Sequence, residues 1–143
     1  GKMGYDIQVN ELTEKELKFS QDAIVSYKKI SDVIWKGDLY RLISPYESDR
    51  AVLMYVNSTK SRAVLFAYTL NSRYGSTFNR VKLEGLDPAK TYKVTELNVS
   101  TEARRPGPSE SGRSYTGDYL MKAGLNAGSA TPLTSAVYEL TGQ

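Results

Sequence analysis

Residues 27–42, YKKISDVIWKGDLYRL, decide the fold, because a helical pattern changes into a strand pattern within them. Before this stretch, apolar residues recur at steps of three and four, which is the spacing of an amphipathic helix. They are Phe19, Ala23, Tyr27, Ile30 and Ile34. After it, apolar residues come in short runs separated by Gly, Pro, Asn and Ser, a pattern typical of strands and turns. We therefore place the change at residues 36–38, where Gly37 is a helix-stop signal.

The start of this helix is also marked in the sequence. Thr13 and Glu16 have the spacing of a capping box, in which each side chain bonds the backbone N–H of the other residue. We therefore predict one amphipathic helix over residues 13–35. Its apolar side is wide. Further apolar residues lie beyond the main stripe, namely Leu17, Ile24, Val33 and Trp35. That is more apolar surface than a helix needs to cover the edge of a small sheet.

The rest of the chain is a series of short apolar segments separated by turn residues. Strands are predicted at residues 39–44, 51–56, 63–70, 79–83, 91–97, 117–125 and 135–141. Tyr5, Ile7 and Val9 alternate with polar residues and predict an extended segment over residues 1–10. Residues 98–116 have no periodicity, so we expect a loop there. The predicted fold is mainly β, an antiparallel β-sandwich of Greek-key type with seven or eight strands, preceded by one amphipathic α-helix.

The composition excludes several classes of site. The 143 residues include no histidine and no cysteine, which removes Ser-His-Asp, Cys-His and zinc-type mechanisms from consideration. The net charge is +3 and the arginines are scattered apart from Arg104 and Arg105, so we predict no nucleic-acid partner. No apolar run approaches the roughly 18 residues that cross a bilayer, so we predict no membrane partner. The sequence leaves the compartment open between the cytoplasm and a periplasmic or secreted location.

Four short strings, in order along the chain, carry a family resemblance. They are GKMGYDI at residues 1–7, YKKI at 27–30, GDLYRL at 37–42, and GDYLM at 117–121 with Gly124 and Leu125 after it. Together they resemble the C-terminal end of family 36 glycoside hydrolases, the α-galactosidases, over nearly the whole chain. In that family a catalytic (β/α)8 barrel is followed by an antiparallel β-sandwich.

The resemblance implies two parts for this chain. Residues 1–37 are similar to the end of the barrel, including its last helix, and residues 38–143 are similar to the C-terminal β-sandwich domain. A barrel helix must cover barrel strands and also meet the next domain, which accounts for the wide apolar side of the predicted helix. The implied partner is the chain's own upstream barrel. An α-galactoside substrate is implied only through that parent enzyme.

The resemblance places the catalytic residues outside this chain. The family uses one aspartate in a Lys-Trp-Asp motif as nucleophile and one in a Ser-Asp-x-x-Asp motif as acid/base. Here Trp35 is followed by Lys36, and the two Ser-Asp pairs, which end at Asp32 and Asp49, have no second aspartate three residues on. We therefore predict no catalytic, cofactor-binding or metal-binding residue, no cofactor, and no enzymatic activity for this chain by itself.

Three other patterns have a structural interpretation that we prefer. Glu47 and Asp49 are a carboxylate pair of the kind that retaining glycosidases hold about 5–5.5 Å apart, but they follow Pro45 in a sequence typical of a solvated turn. Tyrosines can stack on sugar rings, yet several lie in predicted strands, where packing explains them. These are Tyr55, Tyr68, Tyr92 and Tyr138. Asn57 and Asn98 begin glycosylation sequons, which occur often by chance.

Two functions of different classes remain open. The first is an accessory β-domain of an α-galactosidase-like hydrolase, which stabilises the barrel. The second is a stand-alone carbohydrate-binding or interaction module. The barrel-type segment and the wide apolar helix favour the first, because a self-contained module has no use for them. Without the barrel, the helix is predicted to form a homo-oligomer or to fold back onto its own sheet. The residues expected at the oligomer contact are Phe19, Ile24, Tyr27 and Ile30.

Overall fold

The structure, a computed structural model, describes residues 8–71, 79–99, 110–129 and 131–143. A 3₁₀ turn at Val9–Glu11 precedes helix α1, which spans Glu14–Lys36. The strands are β1 Asp38–Ile43, β2 Arg50–Val56, β3 Arg62–Thr69, β4 Thr91–Glu96, β5 Ser114–Thr116 and β6 Thr134–Gly142. A short helix, α2, spans Gly117–Lys122 between β5 and β6.

The strands of the described residues form one sheet, in which every neighbouring pair is antiparallel. Their order across the sheet is β1-β2-β3-β6-β4-β5. The prediction of a mainly β, antiparallel fold behind one N-terminal helix is confirmed. The two facing sheets and the seven or eight strands of the predicted Greek-key sandwich are not confirmed within these residues. One face of the single sheet packs against α1, and the other packs against loops and α2.

Helix α1 begins and ends where the sequence predicts. Thr13 Oγ1 accepts a hydrogen bond from Glu16 N at 3.3 Å, and Glu16 Oε2 accepts one from Thr13 N at 2.9 Å, which completes the capping box. At the other end, Gly37 N donates to the carbonyl oxygen of Val33 at 2.8 Å. A Cβ on Gly37 would lie 2.5 Å from that oxygen and 2.7 Å from the carbonyl oxygen of Val56. Glycine is therefore required where the chain passes from helix to strand.

The predicted strand at residues 117–125 is wrong, because Gly117–Lys122 forms helix α2. Thr116 caps this helix by accepting a hydrogen bond at Oγ1 from Tyr119 N, over 3.2 Å. Asp118 pairs with Lys122 one turn later, with Oδ1 and Nζ 2.7 Å apart. The cap and the ion pair favour a helix over the strand that the apolar residues suggested.

Two further expectations about the second half of the chain are corrected. The predicted strand at residues 79–83 is wrong, since only Val81 pairs there, through an isolated bridge to Leu125. The three-residue strand β5 lies inside the predicted loop at 98–116, and it is too short to have a visible sequence period. Residues 100–109 of that loop and residues 1–7 of the predicted extended segment lie outside the described residues. The end of that segment is not extended, because Val9 and Asn10 belong to the 3₁₀ turn.

The two faces of the sheet carry separate cores. The larger core joins the sheet to residues 81–86 and to α2. Its largest fully buried side chains are Met54, Leu65, Leu83, Tyr92, Leu120, Leu125 and Leu140. The smaller core packs Ile30, Val33 and Ile34 of α1 on Val64 of β3. All three buried residues of α1 therefore belong to its C-terminal half.

The sheet has two ends that matter for the site. At the turn end, residues 57–61 connect β2 and β3. At the loop end, β3 finishes at Thr69 opposite Thr134, where β6 begins. Gly37 lies against Val56 at the turn end. Helix α1 therefore starts near the loop end and finishes at the turn end.

Candidate docking site between helix α1 and the sheet

The C-terminal half of α1 is fastened to the sheet by an ionic network of Lys29, Asp32, Arg62 and Glu139. Arg62 Nη1 lies 2.8 Å from Asp32 Oδ2, and Arg62 Nη2 lies 2.9 Å from Glu139 Oε1. Lys29 Nζ is 2.5 Å from Glu139 Oε2, and the carbonyl oxygen of Lys29 accepts a further hydrogen bond from Arg62 Nη2 at 2.9 Å. The network joins α1 to β3 and β6 at the turn-end side of the helix.

Glu139 is the buried member of the ionic network. Burial raises the pKa of its carboxyl group, but hydrogen bonds and charges from Lys29 and Arg62 lower that pKa by more, so it lies below the ordinary value. The carboxylate is therefore ionised at neutral pH. The general acid of a glycosidase needs a raised pKa. Glu139 is suited to holding the helix and not to transferring a proton.

The N-terminal half of α1 leaves part of the sheet uncovered, and a cavity of about 980 Å³, here called the α1 cleft, lies between the two. Apolar residues line it from both sides, namely Phe19, Ala23 and Tyr27 of the helix and Leu53, Tyr55, Phe66 and Tyr68 of the sheet. Charged residues from the first turns of the helix, Lys15, Glu16, Lys18 and Asp22, also line it. Concave surfaces of this size with apolar walls and a few polar groups are typical binding sites. The α1 cleft is therefore the candidate docking site.

Aromatic side chains form the sheet wall of the α1 cleft. The rings of Tyr55 and Phe66 meet edge to face, with their centroids 6.2 Å apart and their planes at 86°. Tyr68 follows two residues later on β3 and so faces the same side of the sheet. Burial raises the pKa of Tyr68, and the nearby Tyr55 raises it further. The Tyr68 hydroxyl is therefore protonated at neutral pH and able to donate a hydrogen bond to an occupant of the cleft.

The strand tyrosines singled out in the sequence do not form one sugar-stacking platform. Tyr55 and Tyr68 line the α1 cleft, whereas Tyr92 and Tyr138 are buried in the core on the opposite face. The Tyr92 hydroxyl donates to the carbonyl oxygen of Lys60 at 2.6 Å and accepts from Asp87 N at 2.9 Å. Packing and these backbone contacts explain the buried pair.

The acidic pair of the sequence lies in the connection between β1 and β2. Glu47 is exposed and its backbone N–H donates to the carbonyl oxygen of Ser44 at 3.2 Å. Asp49 is half-buried, and its carbonyl oxygen accepts a hydrogen bond from Leu70 N at 2.9 Å. Both residues thus occupy a turn, as their sequence suggests. Across the described part of the chain, no three acidic side chains come together in a way that could hold a metal ion.

The side-chain amides of both sequon asparagines are engaged in hydrogen bonds to the fold. Asn57 Oδ1 accepts from the backbone N–H groups of Ser61 and Arg62, at 2.9 and 3.0 Å, and so shapes the turn between β2 and β3. Asn98 Oδ1 accepts from Val137 N at 2.7 Å, and its Nδ2 donates to the carbonyl oxygen of Ser135 at 3.1 Å. These contacts give each asparagine a structural role.

The residues expected at an oligomer contact do not share one environment. Ile30 is buried against the sheet and Tyr27 is half-buried beside it, so this part of α1 has folded back onto its own domain. Phe19 is exposed along the α1 cleft. Ile24 is also exposed, but it does not line the cleft. Of these four residues, only Phe19 and Ile24 remain exposed to a partner.

Sequence reasoning missed the ionic network. Glu139 lies in a segment that is otherwise apolar, and a charge within such a segment is a signal for a buried or paired group. Arg62 ends a polar turn and carries no such signal. The sequence alone gives no indication that the two strands are neighbours, which is what brings the charges together.

Within residues 8–71, 79–99, 110–129 and 131–143, neither helix has the length and apolar character that crossing a bilayer requires.

Comparison with known proteins gives consistent results. The profile of the glycosyl hydrolase family 36 C-terminal domain matches residues 50–140. The chain is 28% identical over 125 residues to α-galactosidase AgaA of Geobacillus stearothermophilus, covering 87% of this chain and 15% of that protein. It is 30% identical over 125 residues to α-galactosidase 1 of Pediococcus pentosaceus, with the same coverage of 87% and 15%.

A solved structure has the same architecture. The crystal structure of the GH36 α-galactosidase AgaB from Geobacillus stearothermophilus superposes with a TM-score of 0.78 at 25% identity, covering 94% of this chain and 17% of that one. This chain therefore spans about a sixth of the length of the proteins that it matches.

Proposed function

Because this chain belongs to the glycosyl hydrolase family 36 C-terminal domain family, we propose that it is the non-catalytic C-terminal β-domain of an α-galactosidase-like hydrolase. Its role is to stabilise a (β/α)8 catalytic barrel that precedes it in the same polypeptide. The family membership confirms the resemblance found in the sequence.

The surface of α1 is the observation that carries the proposed role. Phe19, Ile24 and Val25 are exposed on the helix, although burial of an apolar side chain of this size is worth roughly 1.5–3 kcal/mol. A barrel ahead of the helix supplies the missing cover. In this arrangement residues 1–37 end the barrel and residues 38–143 form the C-terminal domain. Helix α1 is shared between them, since its C-terminal half already belongs to a core of the sheet.

We infer that none of the residues of this chain is catalytic and that the chain by itself hydrolyses no glycoside. An α-galactoside is then a substrate only of the parent enzyme, whose barrel supplies the carboxylates that attack the sugar and protonate the leaving oxygen. Incubation of the chain with a chromogenic α-galactoside, beside a buffer blank, tests this point. Turnover above the blank that survives repurification would contradict it.

The sequence that encodes the residues ahead of Gly1 gives the sharpest test of the proposed role. It is expected to encode a (β/α)8 barrel with the Lys-Trp-Asp and Ser-Asp-x-x-Asp motifs. A reading frame without such a domain would overturn the proposal. Binding of a sugar by the 143-residue chain would then support the stand-alone carbohydrate-binding module instead.

We also propose that, in the absence of the barrel, a second copy of the chain covers the exposed residues of α1, chiefly Phe19 and Ile24.

A further inference from the structure

Four apolar side chains, here called the loop-end group, are exposed to solvent at the loop end of the sheet. They are Tyr46 with 98% of its surface exposed, Leu133 with 88%, Val99 with 61% and Leu70 with 44%. Single exposed apolar residues are common on protein surfaces, but clusters of them mark interaction sites.

The strand register shows that the members of the loop-end group lie side by side at the loop end of the sheet. Arg50, which begins β2, pairs with Thr69, which in turn pairs with Thr134. Tyr46, Leu70 and Leu133 each lie within a few residues of this row. Val99 joins them because its neighbour Asn98 donates a hydrogen bond to the carbonyl oxygen of Ser135 at 3.1 Å. Neighbouring strands are separated by about 4.8 Å, so the four side chains span only a few strand widths.

Leu133 is the most informative member of the loop-end group. Its backbone has a φ of 55°, a conformation that glycine and asparagine adopt more easily than leucine does. Its side chain is almost fully exposed, so neither the local backbone nor packing against the described part of this domain favours leucine here. Backbone strain is often retained at functional positions, and clustered exposed apolar side chains mark interaction sites, so both features of Leu133 fit a contact outside the domain.

The position of α1 indicates what covers this end. The helix begins near the loop end, and Val99 lines the α1 cleft together with Phe19. Any polypeptide that precedes the helix therefore enters beside the loop-end group. The relatives are several times longer than this chain, which covers 15% of their length. A folded domain ahead of residue 8 would have both the proximity and the size to cover the exposed residues.

We propose that the preceding domain docks on the loop-end group and on the adjoining part of the α1 cleft, where Phe19 and Val99 lie. This inference rests on the proposed function, since it needs a domain ahead of α1. It goes further by placing the contact at the loop end of the sheet and not at the turn end, where Trp35 and Leu39 are exposed. It also assigns Leu133, which is far from α1 in the sequence, to the interdomain contact.

Hydroxyl-radical footprinting tests the location of the contact. The 143-residue chain, at a concentration where light scattering shows a monomer, is compared with the longer polypeptide that carries the preceding domain. Oxidation of Tyr46, Leu133 and Phe19 is expected to fall several-fold in the longer polypeptide, because these side chains lose their exposure. Trp35 and Tyr119 are the internal controls and are expected to keep their oxidation rates.

The other outcomes of the footprint overturn the inference. Protection of Trp35 and Leu39 without protection of the loop-end group would place the contact at the turn end. Protection that grows with the concentration of the longer polypeptide would identify a second copy as the occupant. If no preceding domain is encoded, the proposed function itself fails. If the domain exists and the footprint lies elsewhere, only the present inference fails.

A Leu133→Gly variant separates docking from folding. In the 143-residue chain the variant is expected to keep its melting temperature, because relief of the positive φ offsets the greater freedom of the unfolded chain. In the longer polypeptide the same change is expected to lower the melting temperature of this domain, because an interdomain contact is lost. An equal effect in both polypeptides, including no effect in either, would contradict a docking role for Leu133.

Discussion

The guanidinium group of Arg62 in β3 donates a hydrogen bond to the carboxylate of Glu139 in β6, with Nη2 and Oε1 2.9 Å apart. The same guanidinium also binds Asp32 and the carbonyl oxygen of Lys29 on α1. One arginine therefore connects two central strands to the helix that precedes them. Because Glu139 is buried, its charge is stabilised only while Arg62 and Lys29 stay in place. The helix and the sheet should thus unfold together.

Glu139→Gln is expected to lower the free energy of unfolding by roughly 1–3 kcal/mol at neutral pH, because it removes a buried charged acceptor of two cations. The pKa of Glu139 lies below its ordinary value in the folded protein. The contribution of Glu139 to the free energy of unfolding is therefore complete above the unfolded pKa of about 4.3. It is lost as the pH falls through the pKa of the folded state. Urea unfolding of both proteins at a series of pH values measures the difference.

Glu84→Gln, at an exposed glutamate, is the control for the Glu139 variant and is expected to change stability little. The ionic network would not have the role assigned to it if the difference in unfolding free energy between wild type and Glu139→Gln were the same at low and at neutral pH.

Ile30→Ala tests whether the C-terminal half of α1 belongs to the core. Ile30 is buried against Val64, so its truncation is expected to cost about 2–5 kcal/mol of unfolding free energy. Val25→Ala on the same helix removes an exposed side chain and is expected to cost less than about 0.5 kcal/mol. Chemical denaturation gives both values. Similar costs at the two positions would mean that α1 is not packed on the sheet as described.

Gly117→Ala tests the close approach between the start of α2 and the turn before β4. A Cβ at this position would overlap the carbonyl oxygen of Asp87, so the substitution is expected to cost about 3 kcal/mol. Gly112→Ala is the control, because a Cβ there meets no atom within 4 Å and only the φ of 86° opposes it. That change is expected to cost about 1 kcal/mol. Thermal unfolding would contradict the structure if Gly112→Ala proved the more harmful change.

The parts of the fold that the sequence predicted are those in which one local signal dominates. The capping box at Thr13 and the stop at Gly37 give the limits of α1. The apolar runs of β2 and β3 predict strands at the observed places, since both strands lie inside the sheet. In α2, by contrast, the apolar residues predicted a strand. The cap at Thr116 and one ion pair favour a short helix instead, and this helix packs as part of the larger core.

The candidate site could not be predicted from the sequence, because it depends on how elements meet. The periodicity of α1 indicated a wide apolar side, but not that its C-terminal half is buried while Phe19 stays exposed. The α1 cleft exists because the helix continues beyond the residues that pack on Val64. The loop-end group joins segments that are distant in sequence. Only the strand order β2-β3-β6-β4 brings these segments together at the loop end of the sheet.

Removal of α1 tests how far the helix is needed for folding. A chain that starts at Gly37 lacks Ile30, Val33 and Ile34, so it leaves Val64 and the aromatic face of the sheet exposed. It also leaves the buried carboxylate of Glu139 without Lys29. We expect this shorter chain to unfold at a lower denaturant concentration and to aggregate. Equal stability of the two chains would show that the helix is not an integral part of the domain.

The chain is expected to self-associate when no domain precedes α1. Phe19 and Ile24 remain exposed, so size exclusion followed by light scattering should find a dimer whose population rises with concentration. The double variant Phe19→Ser with Ile24→Ser should be monomeric at the same concentrations. Leu39→Ser, which changes an exposed apolar residue on β1 instead of α1, should still associate. A wild-type chain that stays monomeric throughout, or equal loss of association in Leu39→Ser, would mean that α1 does not supply the contact.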